Sequence, residues 1–173
     1  MDERIKGAIG VPPTLSVVIP YRNEARSLPQ LYRELADVLD ALPYSSEVLL
    51  VDDASEDDGP GIVEQLARAD FRLRPLSLSP HRGQSAALEA GFRASRGELV
   101  ATLDADLQND PADLPQLLAA LAEADCVCGF RERRQDRFFT RLASWVANRI
   151  RRFVLEDGVR DIGCSLRVMR RVH

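Results

Sequence analysis

With 173 residues, of which 45% are apolar and 6% aromatic, the chain is long enough to bury the core of one domain. Its formal net charge of −4 argues against a general nucleic-acid-binding protein, because phosphate contacts usually require a basic surface. No segment approaches the roughly 18 consecutive apolar residues of a membrane-spanning helix. Residues 1–13 mix charged residues with Gly and Pro, so we expect a flexible lead-in there rather than a secretory signal.

Strands and helices alternate along the first half of the chain. Leu15–Pro20 is a short apolar run that predicts a buried strand, and it leads into a polar turn. Ser27 is placed to cap a helix that continues to Leu42. The pattern then predicts a strand over Glu47–Val51 and a helix over about Gly61–Ala69.

The same alternation continues in the second half. A weaker strand over Phe71–Leu78 is followed by a helix over Gln84–Ser95 and a strand over Glu98–Leu103. Pro111 opens another helix, and Asp125–Gly129 supplies a fifth strand. Alternating elements with apolar strands predict a three-layer α/β fold, with a mainly parallel sheet covered by helices on both faces. Such sheets bind ligands beyond the carboxyl ends of their strands.

The cysteines do not indicate a disulfide framework. Cys126 and Cys128 lie two residues apart on the fifth predicted strand, and Cys164 is far along the chain. We expect the first two to pack in the core, rather than to form half of a metal site, and we expect a reducing, cytoplasmic setting.

Acidic side chains follow the predicted strand that ends at Leu103. Asp104 and Asp106 are two residues apart, so both can converge on one divalent cation, and the amide oxygen of Gln108 could complete the protein side of its coordination shell. Oxygen ligands suit Mg²⁺ or Mn²⁺, which could bridge the oxygens of a diphosphate.

Two further segments offer ligand contacts. Asp52 and Asp53 follow the second strand, where a carboxylate can accept hydrogen bonds from a ribose or a base; alternatively, Asp53 and Ser55 only form a turn. Arg137–Leu155 predicts a basic amphipathic helix. Its polar face could bind phosphate or anionic lipid, or could simply be solvated.

Six motifs in a fixed order resemble the large inverting glycosyltransferase family that includes dolichyl-phosphate mannose synthases and bacterial polyprenyl-phosphate glycosyltransferases. They run from about Leu15 to the C-terminus and comprise residues 18–24 (VIPYRNE), 51–55 (VDDAS), 83–91 (Gly83-Gln84, Ala86-Ala87 and Gly91), 104–111 (DADLQNDP), 129–131 (GFR) and 160–167 (RDIGCSLR).

The resemblance implies a GT-A fold and a set of functional residues. The residues implied in binding the nucleotide sugar are Pro20, Tyr21, Asn23, Glu24, Asp52, Asp53, Gly83, Gln84, Asp104 and Ala105. The implied metal ligands are Asp104, Asp106 and Gln108, of which the two aspartates are the implied catalytic residues. An acceptor phosphate would meet Arg131, Arg141 and Ser144.

The resemblance also implies a reaction and a domain layout. A sugar would pass with inversion from GDP-mannose or a UDP-sugar to a polyprenyl or dolichyl phosphate at the cytoplasmic face of an anionic membrane. Residues of about 14–130 would form the nucleotide-binding half and 131–173 a partial acceptor region, since family members usually continue further. A phosphate acceptor needs no strong base because it is already ionised, whereas a saccharide hydroxyl would need one, for which we single out Asp161.

Competing classes fit the sequence less well. A Rossmann dehydrogenase needs a Gly-X-Gly-X-X-Gly turn, which is absent after Pro20, and a response-regulator receiver needs a late lysine, whereas Lys6 is the only lysine. A module that binds a nucleotide sugar or a partner without turnover remains open, as does a glycosyltransferase acting on a saccharide hydroxyl. The sequence leaves the oligomeric state open.

Overall fold

A computed structural model describes residues 12–129 and 165–171. Within them the chain forms, in order, β1 (Leu15–Tyr21), α1 (Leu28–Ala41), β2 (Ser46–Asp53), α2 (Gly59–Ala69), β3 (Leu73–Leu78), α3 (Gln84–Ala94), β4 (Leu99–Thr102), α4 (Leu114–Ala120), β5 (Cys126–Cys128) and β6 (Arg167–Arg170). Short 3₁₀ turns at Pro111–Asp113 and Leu121–Glu123 flank α4. The predicted helix over Arg137–Leu155 lies outside the described residues. None of the helices in the described ranges combines the length and apolar character needed to span a bilayer.

The six strands form one sheet in the order β3-β2-β1-β4-β6-β5. Strands β1 to β4 are parallel to one another, whereas β6 runs antiparallel to both of its neighbours. The carboxyl ends of the four parallel strands therefore meet at one edge of the sheet. The mainly parallel sheet predicted from the alternation of elements is confirmed.

Apolar side chains cover both faces of this sheet, as the three-layer prediction requires. Along β1, Val17 and Ile19 face a core shared with α1, α2 and α4, while Val18 faces a second core against α3. All seven residues of β1 are buried, because a central parallel strand has helices on both sides. The apolar run that predicted β1 is thus explained by burial on two faces.

Two predicted details of the helices and strands differ in the structure. Ser27 occupies the N-cap position of α1, but its hydroxyl donates to the carbonyl and the carboxylate of Glu24 instead of accepting from the first helical turn. Strand β2 continues two residues past Val51, because Asp52 and Asp53 pair with Ser77 and Leu78 of β3. Asp53 therefore belongs to the strand itself and is held by its backbone.

The far side of the sheet departs most from the sequence-based prediction. The unpredicted strand β6 inserts between β4 and β5, so residues about 40 to 70 positions apart in the chain become neighbours there. Cys126 and Cys128 are exposed, and the prediction that they pack in the core is wrong. They lie on the edge strand β5 and flank Val127, which does pack against the core.

At the opposite, amino-terminal edge of the sheet, the buried carboxylate of Glu47 joins several elements. It accepts hydrogen bonds from the hydroxyl of Ser16 on β1, from the guanidinium of Arg74 on β3, and from both the backbone N–H and the guanidinium of Arg96. The Glu47 side chain is only 2% exposed. A charge that is buried to this extent requires such donors, and Glu47 has them from three directions.

Gly91 sets the distance between α3 and the sheet. A Cβ atom at this position would collide with Cγ1 of Val18 and would lie 3.3 Å from Cγ2 of Val51, both in the second core. We expect Gly91→Ala to lower the free energy of unfolding by about 1–3 kcal/mol, because stiff β-branched neighbours must move to admit the methyl group. Urea denaturation measures the change.

Gly61→Ala is the matched control for this substitution. Gly61 is also helical, but the three atoms nearest to its Cβ would all belong to the side chain of Asp58, which can rotate away. The higher helix propensity of Ala should leave this variant neutral or stabilised by up to about 1 kcal/mol. Equal losses in the two variants would contradict the close packing of α3 on β1.

Candidate functional site

Four loops at the carboxyl edge of the parallel strands enclose a cavity of about 300 Å³. They are the segments that follow β1, β2 and β4, and the turn between β3 and α3. The residues that line the cavity are Pro20, Tyr21, Arg22, Glu24, Asp53, His81, Gln84, Asp104, Ala105 and Asp106. Sheets of this kind place their ligands at this edge, which makes the cavity the candidate functional site.

The loops after β1 and β2 are fixed to each other by side-chain to backbone hydrogen bonds. The amide oxygen of Asn23 accepts from the N–H of Glu56 at 2.7 Å, and the N–H of Asn23 donates to the hydroxyl of Ser55 at 3.0 Å. The carboxylate of Asp57 accepts from the N–H of Ala25 at 2.8 Å. These contacts make one wall of the cavity from two segments about 30 residues apart in sequence.

Asp52 and Asp53 have different roles although they are adjacent. Asp52 accepts from the N–H and the hydroxyl of Ser55, so it closes the turn after β2. The sequence analysis gave a turn formed by Asp53 and Ser55 as the alternative to ligand binding. In the structure this turn is formed by Asp52 and Ser55 instead. Asp53 reaches across to the turn before α3.

Within residues 12–129 and 165–171, three residues other than glycine adopt the left-handed backbone conformation, and each lies in a loop of this site. Their φ angles are 58° at Asn23, 58° at Ala54 and 62° at Leu107. Such residues are uncommon outside glycine and cost backbone energy that the surrounding contacts must supply. They turn the chain sharply at the ends of β1, β2 and β4, which brings the polar side chains of these loops to the cavity.

The turn before α3 is held by the carboxylate of Asp53. Its Oδ1 accepts from the N–H of Arg82, and its Oδ2 accepts from the N–H of Gly83 and from Nδ1 of His81, each at 2.7 Å. Burial would raise the pKa of Asp53, but these hydrogen bonds and the imidazole lower it below its ordinary value. Gly83 has a φ of 90°, a conformation that favours glycine at this turn.

The segment after β4 carries two carboxylates to the cavity. Asp104 and Asp106 both line it, separated by the buried Ala105. Nε2 of Gln84, the first residue of α3, donates to Oδ1 of Asp104 at 2.7 Å, and the N–H of Gln108 donates to Oδ1 of Asp106 at 3.1 Å. Each carboxylate keeps a second oxygen for a ligand.

The carboxylate oxygens of the segment after β4 suit a hard divalent cation that takes only some of its ligands from the protein. In the described ranges, no group of three or more His, Cys, Asp or Glu side chains is arranged to hold a metal. Two carboxylates are what Mg²⁺ commonly receives from a protein when phosphate oxygens and waters complete its octahedral shell. Asp104 and Asp106 fit that arrangement.

Negative charge dominates the cavity wall. Four carboxylates line it, and they belong to Glu24, Asp53, Asp104 and Asp106. The described cationic or titratable nitrogen groups on the wall are the guanidinium of Arg22, which pairs with Glu56 at 3.3 Å, and the imidazole of His81. A diphosphate would be repelled by such a wall unless a cation were bound with it.

Burial and neighbouring charge also act on Tyr21. Burial first, and then the carboxylates of Asp52 and Asp57, raise the pKa of its phenol well above the ordinary value. Tyr21 therefore keeps its proton at physiological pH, so its hydroxyl can donate a hydrogen bond at the cavity.

The cavity gathers most, but not all, of the residues predicted to bind the nucleotide sugar. Those on its wall are Pro20, Tyr21, Glu24, Asp53, Gln84, Asp104 and Ala105, together with the predicted metal ligand Asp106. Asn23, Asp52 and Gly83 support the wall through the hydrogen bonds described above, and Gln108 follows it in the chain. The predicted acceptor residues Arg131, Arg141 and Ser144, and the predicted base Asp161, lie outside the described residues.

Two residues on the wall were not predicted. Arg22 lies inside the motif at residues 18–24, but no role was assigned to it there. His81 had one signal in the sequence, since it stands two residues before Gly83 at the entrance to a helix. That signal was weak without knowledge of the contact with Asp53, which is 28 residues earlier in the chain.

A mainly parallel sheet between helices, with carboxylates gathered beyond the ends of β1, β2 and β4, defines a nucleotide-sugar transferase-like fold of the GT-A class. Residues 16–173 match Glycosyl transferase family 2. The chain therefore belongs to that family.

Solved structures with the same fold include two glycosyltransferases. One is glucosyl-3-phosphoglycerate synthase from Mycobacterium tuberculosis in complex with Mn²⁺, UDP and phosphoglyceric acid, with a TM-score of 0.71 and 22% identity over 97% of this chain. Another is the mannosyltransferase PcManGT from Pyrobaculum calidifontis in complex with GDP-Man and Mn²⁺, with a TM-score of 0.65 and 24% identity over 94% of this chain. The synthase has also been crystallised with Mg²⁺ and UDP.

This chain spans 58% of the length of the synthase and 46% of that of the mannosyltransferase. At these identities the likeness establishes the fold.

Proposed function

We propose that this chain binds a nucleoside-diphosphate sugar together with Mg²⁺ or Mn²⁺, as the donor-binding part of a glycosyltransferase. The observation that carries the proposal is that Asp104 and Asp106 line one cavity at the carboxyl edge of the parallel strands. The chain that forms this cavity belongs to Glycosyl transferase family 2. The two structural relatives support it, because they were crystallised with Mn²⁺ and with UDP or GDP-Man.

Asp104 and Asp106 would hold the metal. When bound, a divalent cation supplies positive charge that offsets the negative charge of the diphosphate leaving group. Gln84 orients Asp104 through its 2.7 Å hydrogen bond, which leaves the other oxygen of that carboxylate for the cation. Gln108 is predicted to be a third ligand, and we retain that role as part of the proposal.

The remaining wall residues would position the nucleotide. Asp53 and His81 lie beyond β2 and β3, whereas Asp104 and Asp106 lie beyond β4, with β1 between them. Two strand spacings, or roughly 10 Å, separate the ends of β2 and β4, which is comparable to the reach from a base to its diphosphate. The base would then lie on the β2 side and the diphosphate on the β4 side, with Tyr21 and Glu24 between them.

For the acceptor, we propose a polyprenyl or dolichyl phosphate that attacks the anomeric carbon in line, with inversion. The attacking oxygen forms the new C–O bond as the bond to the diphosphate breaks, and the second ionisation of a phosphate monoester near pH 6 removes the need for a strong base. Arg131, Arg141 and Ser144 are the residues that we propose for the acceptor phosphate, at an anionic membrane surface. The family motifs at residues 129–131 and 160–167 support this choice.

A thermal-shift panel with UDP, GDP, UDP-sugars and GDP-sugars tests donor binding. We expect stabilisation only in the presence of Mn²⁺ or Mg²⁺, because the acidic wall repels a bare diphosphate. A ligand at 100 times its Kd stabilises the folded state by about 2.7 kcal/mol, which raises the Tm by several degrees for a chain of this size. Excess EDTA should abolish the shift. Absence of a shift with every nucleotide and both metals would contradict the proposal.

Turnover assays then separate the acceptors. Release of nucleoside diphosphate from a bound donor should increase with polyprenyl phosphate. An increase with phosphoglyceric acid instead would favour a small phosphorylated acceptor, which is what the structure of the synthase contains. Metal-dependent binding without turnover in any arm would favour the alternative of a binding module.

A further inference from the structure

The edge strand β5 carries two cysteines on one face of the sheet. Cys126 and Cys128 are both exposed, and Val127 between them packs against the core that is shared with α1, α2 and α4. Because side chains alternate along a strand, both thiols lie on the other face, which is the side of the second core. The two cysteines therefore offer a pair of sulfur donors with the same orientation at an exposed edge.

Strand β6 brings a third sulfur to this face. Met169 pairs directly with Cys126, and Arg167 pairs directly with Cys128. Residues directly opposite each other in an antiparallel pair share a face, with their Cβ atoms about 4.5–5.5 Å apart. The packing of Met169 against the second core agrees with that orientation. The Met169 side chain has three rotatable bonds, so its thioether can reach a ligand that is shared with the two thiols.

The spacing within β5 favours a bridging ion over a disulfide. Cβ atoms two residues apart on a strand are separated by about 6.5–7 Å, which is twice the rise per residue. A disulfide requires only about 3.5–4.5 Å between its Cβ atoms. A metal bound between two thiolates adds about 2.3 Å from each sulfur to the ion, so it can span the wider gap without bending the strand.

The chemistry of these donors selects a soft cation. Thiolate and thioether ligands suit Cu(I), whereas Mg²⁺ and Mn²⁺ prefer oxygen. Structural Zn²⁺ takes four nitrogen or sulfur ligands, and no third His, Cys, Asp or Glu joins the pair within residues 12–129 and 165–171. Two thiolates with one Cu(I) carry a net charge of −1, which the guanidinium of Arg167 on the same face can offset.

We propose that Cys126, Cys128 and Met169 form a binding site for one Cu(I) ion, which joins the edge strand β5 to β6. The Cys-X-Cys pattern has only two donors of its own, and the third comes from a strand about 40 residues later in the chain. None of the three residues lines the cavity at the carboxyl edge, so the inference does not depend on the proposed function. Bound Cu(I) stabilises the paired arrangement of the two strands, because the full ligand set exists only in the folded state.

Anaerobic titration with Cu(I), in competition with a chromophoric Cu(I) chelator, tests this site. We expect one Cu(I) per chain and a rise of the Tm by several degrees at saturation. Cys126→Ser and Cys128→Ser should each weaken Cu(I) binding by more than about 100-fold, since even groups that only support metal ligands contribute 10- to 100-fold. Met169→Leu keeps the apolar volume and should weaken binding by roughly 10-fold, because a neutral thioether is a weaker donor than a thiolate.

Two control variants leave the proposed ligands in place. Cys164→Ser removes the remaining cysteine, which lies outside the described residues, and Asp106→Ala removes a proposed ligand of Mn²⁺. Both should bind Cu(I) as tightly as the wild-type chain does. The metal-free Tm checks the folding of every variant, and Cys126→Ala and Cys128→Ala repeat the test with an apolar replacement.

The outcomes either support or overturn the site. Absence of Cu(I) binding to the wild-type chain overturns it, as does unchanged affinity in Cys126→Ser, Cys128→Ser or Met169→Leu. A loss in Cys164→Ser or Asp106→Ala as large as that in Cys126→Ser overturns it too, because the ion would then be bound elsewhere. Weakened binding in the three ligand variants alone, at an unchanged metal-free Tm, supports the site.

Discussion

Asp106→Ala is expected to weaken the Mn²⁺-dependent binding of UDP or GDP by about 100-fold or more, while leaving the folded state intact. Asp104 and Asp106 are the two wall carboxylates that we propose as ligands of the cation, and changes even to groups that only support metal ligands cost 10- to 100-fold in affinity. Without the cation, Glu24, Asp53 and Asp104 would repel the diphosphate. Calorimetric titration with the nucleotide at saturating Mn²⁺ measures the loss.

We expect Asp106→Ala to fold as the wild-type chain does, so the titration measures binding rather than folding. Asp106 is exposed, and its one hydrogen bond given above is to the N–H of Gln108 two residues away. Removing a like charge from an acidic wall should keep the Tm or raise it slightly. Asp113→Asn is the matched control, because Asp113 is exposed at the start of α4 and is not part of the cavity wall. Unchanged metal-dependent affinity in Asp106→Ala would refute the metal assignment.

Glu47→Ala is expected to lower the free energy of unfolding by about 2–4 kcal/mol, which is the largest loss of stability that we expect from a single change. The Glu47 carboxylate joins β1, β3 and the loop after α3, through contacts of 2.6–3.0 Å. Arg74 and Arg96 remain 34% and 53% exposed, so water can solvate them after the change, which keeps the loss below that of a wholly buried charge. The N–H of Arg96 nevertheless loses its short bond to the carboxylate.

Thermal or urea unfolding measures this loss, and the exposed pair of Glu89 with Arg93 provides the control. Glu89 is 63% exposed, and its pair with Arg93 spans one helical turn. Surface pairs of this kind contribute about 0.3–0.5 kcal/mol, so Glu89→Ala should change little. A loss in Glu47→Ala no larger than that of Glu89→Ala would contradict the structural role of the network.

The same network gives a dependence of stability on pH. Burial would raise the pKa of Glu47, but the donors from Arg74, Ser16 and Arg96 lower it below its ordinary value of 4.5. A carboxyl group whose pKa is lower in the folded state stabilises that state above its ordinary pKa, and the contribution is lost as the pH falls through the folded value. The stability advantage of the wild-type chain over Glu47→Gln should therefore be full near pH 6 and should shrink below about pH 4.

Among the described residues, buried or clustered carboxylates are paired with cationic groups at the amino edge of the sheet, whereas most of those at the carboxyl edge are not. At the amino edge, the buried carboxylate of Glu47 is matched by the guanidinium groups of Arg74 and Arg96. At the carboxyl edge, four carboxylates face one cavity, and the cationic or titratable nitrogen groups on its described wall are those of Arg22 and His81. Unmatched charge is costly in a folded protein, so its concentration at one edge indicates a site whose balance is completed by a ligand.

The alternation of the elements was determined by the sequence alone. The apolar runs that became β1 to β5 and the helical periodicities of α1, α2 and α3 are local patterns, and local patterns set which face of an element is buried. Because successive strands proved parallel, the prediction that the acids after β1, β2 and β4 meet at one edge followed from their positions in the chain. The cavity that contains Asp104 and Asp106 was predictable for that reason.

Other features were decided by the tertiary structure. The insertion of β6 between β4 and β5, the contact of Asp53 with His81 and the convergence of Arg74 and Arg96 on Glu47 join residues from 27 to about 70 positions apart. The exposure of Cys126 and Cys128 depends on the place of β5 at the edge of the sheet, which the three-residue strand itself does not encode. These outcomes depend on which elements become neighbours, and that choice is made by the packing of the whole chain rather than by the period of any one segment.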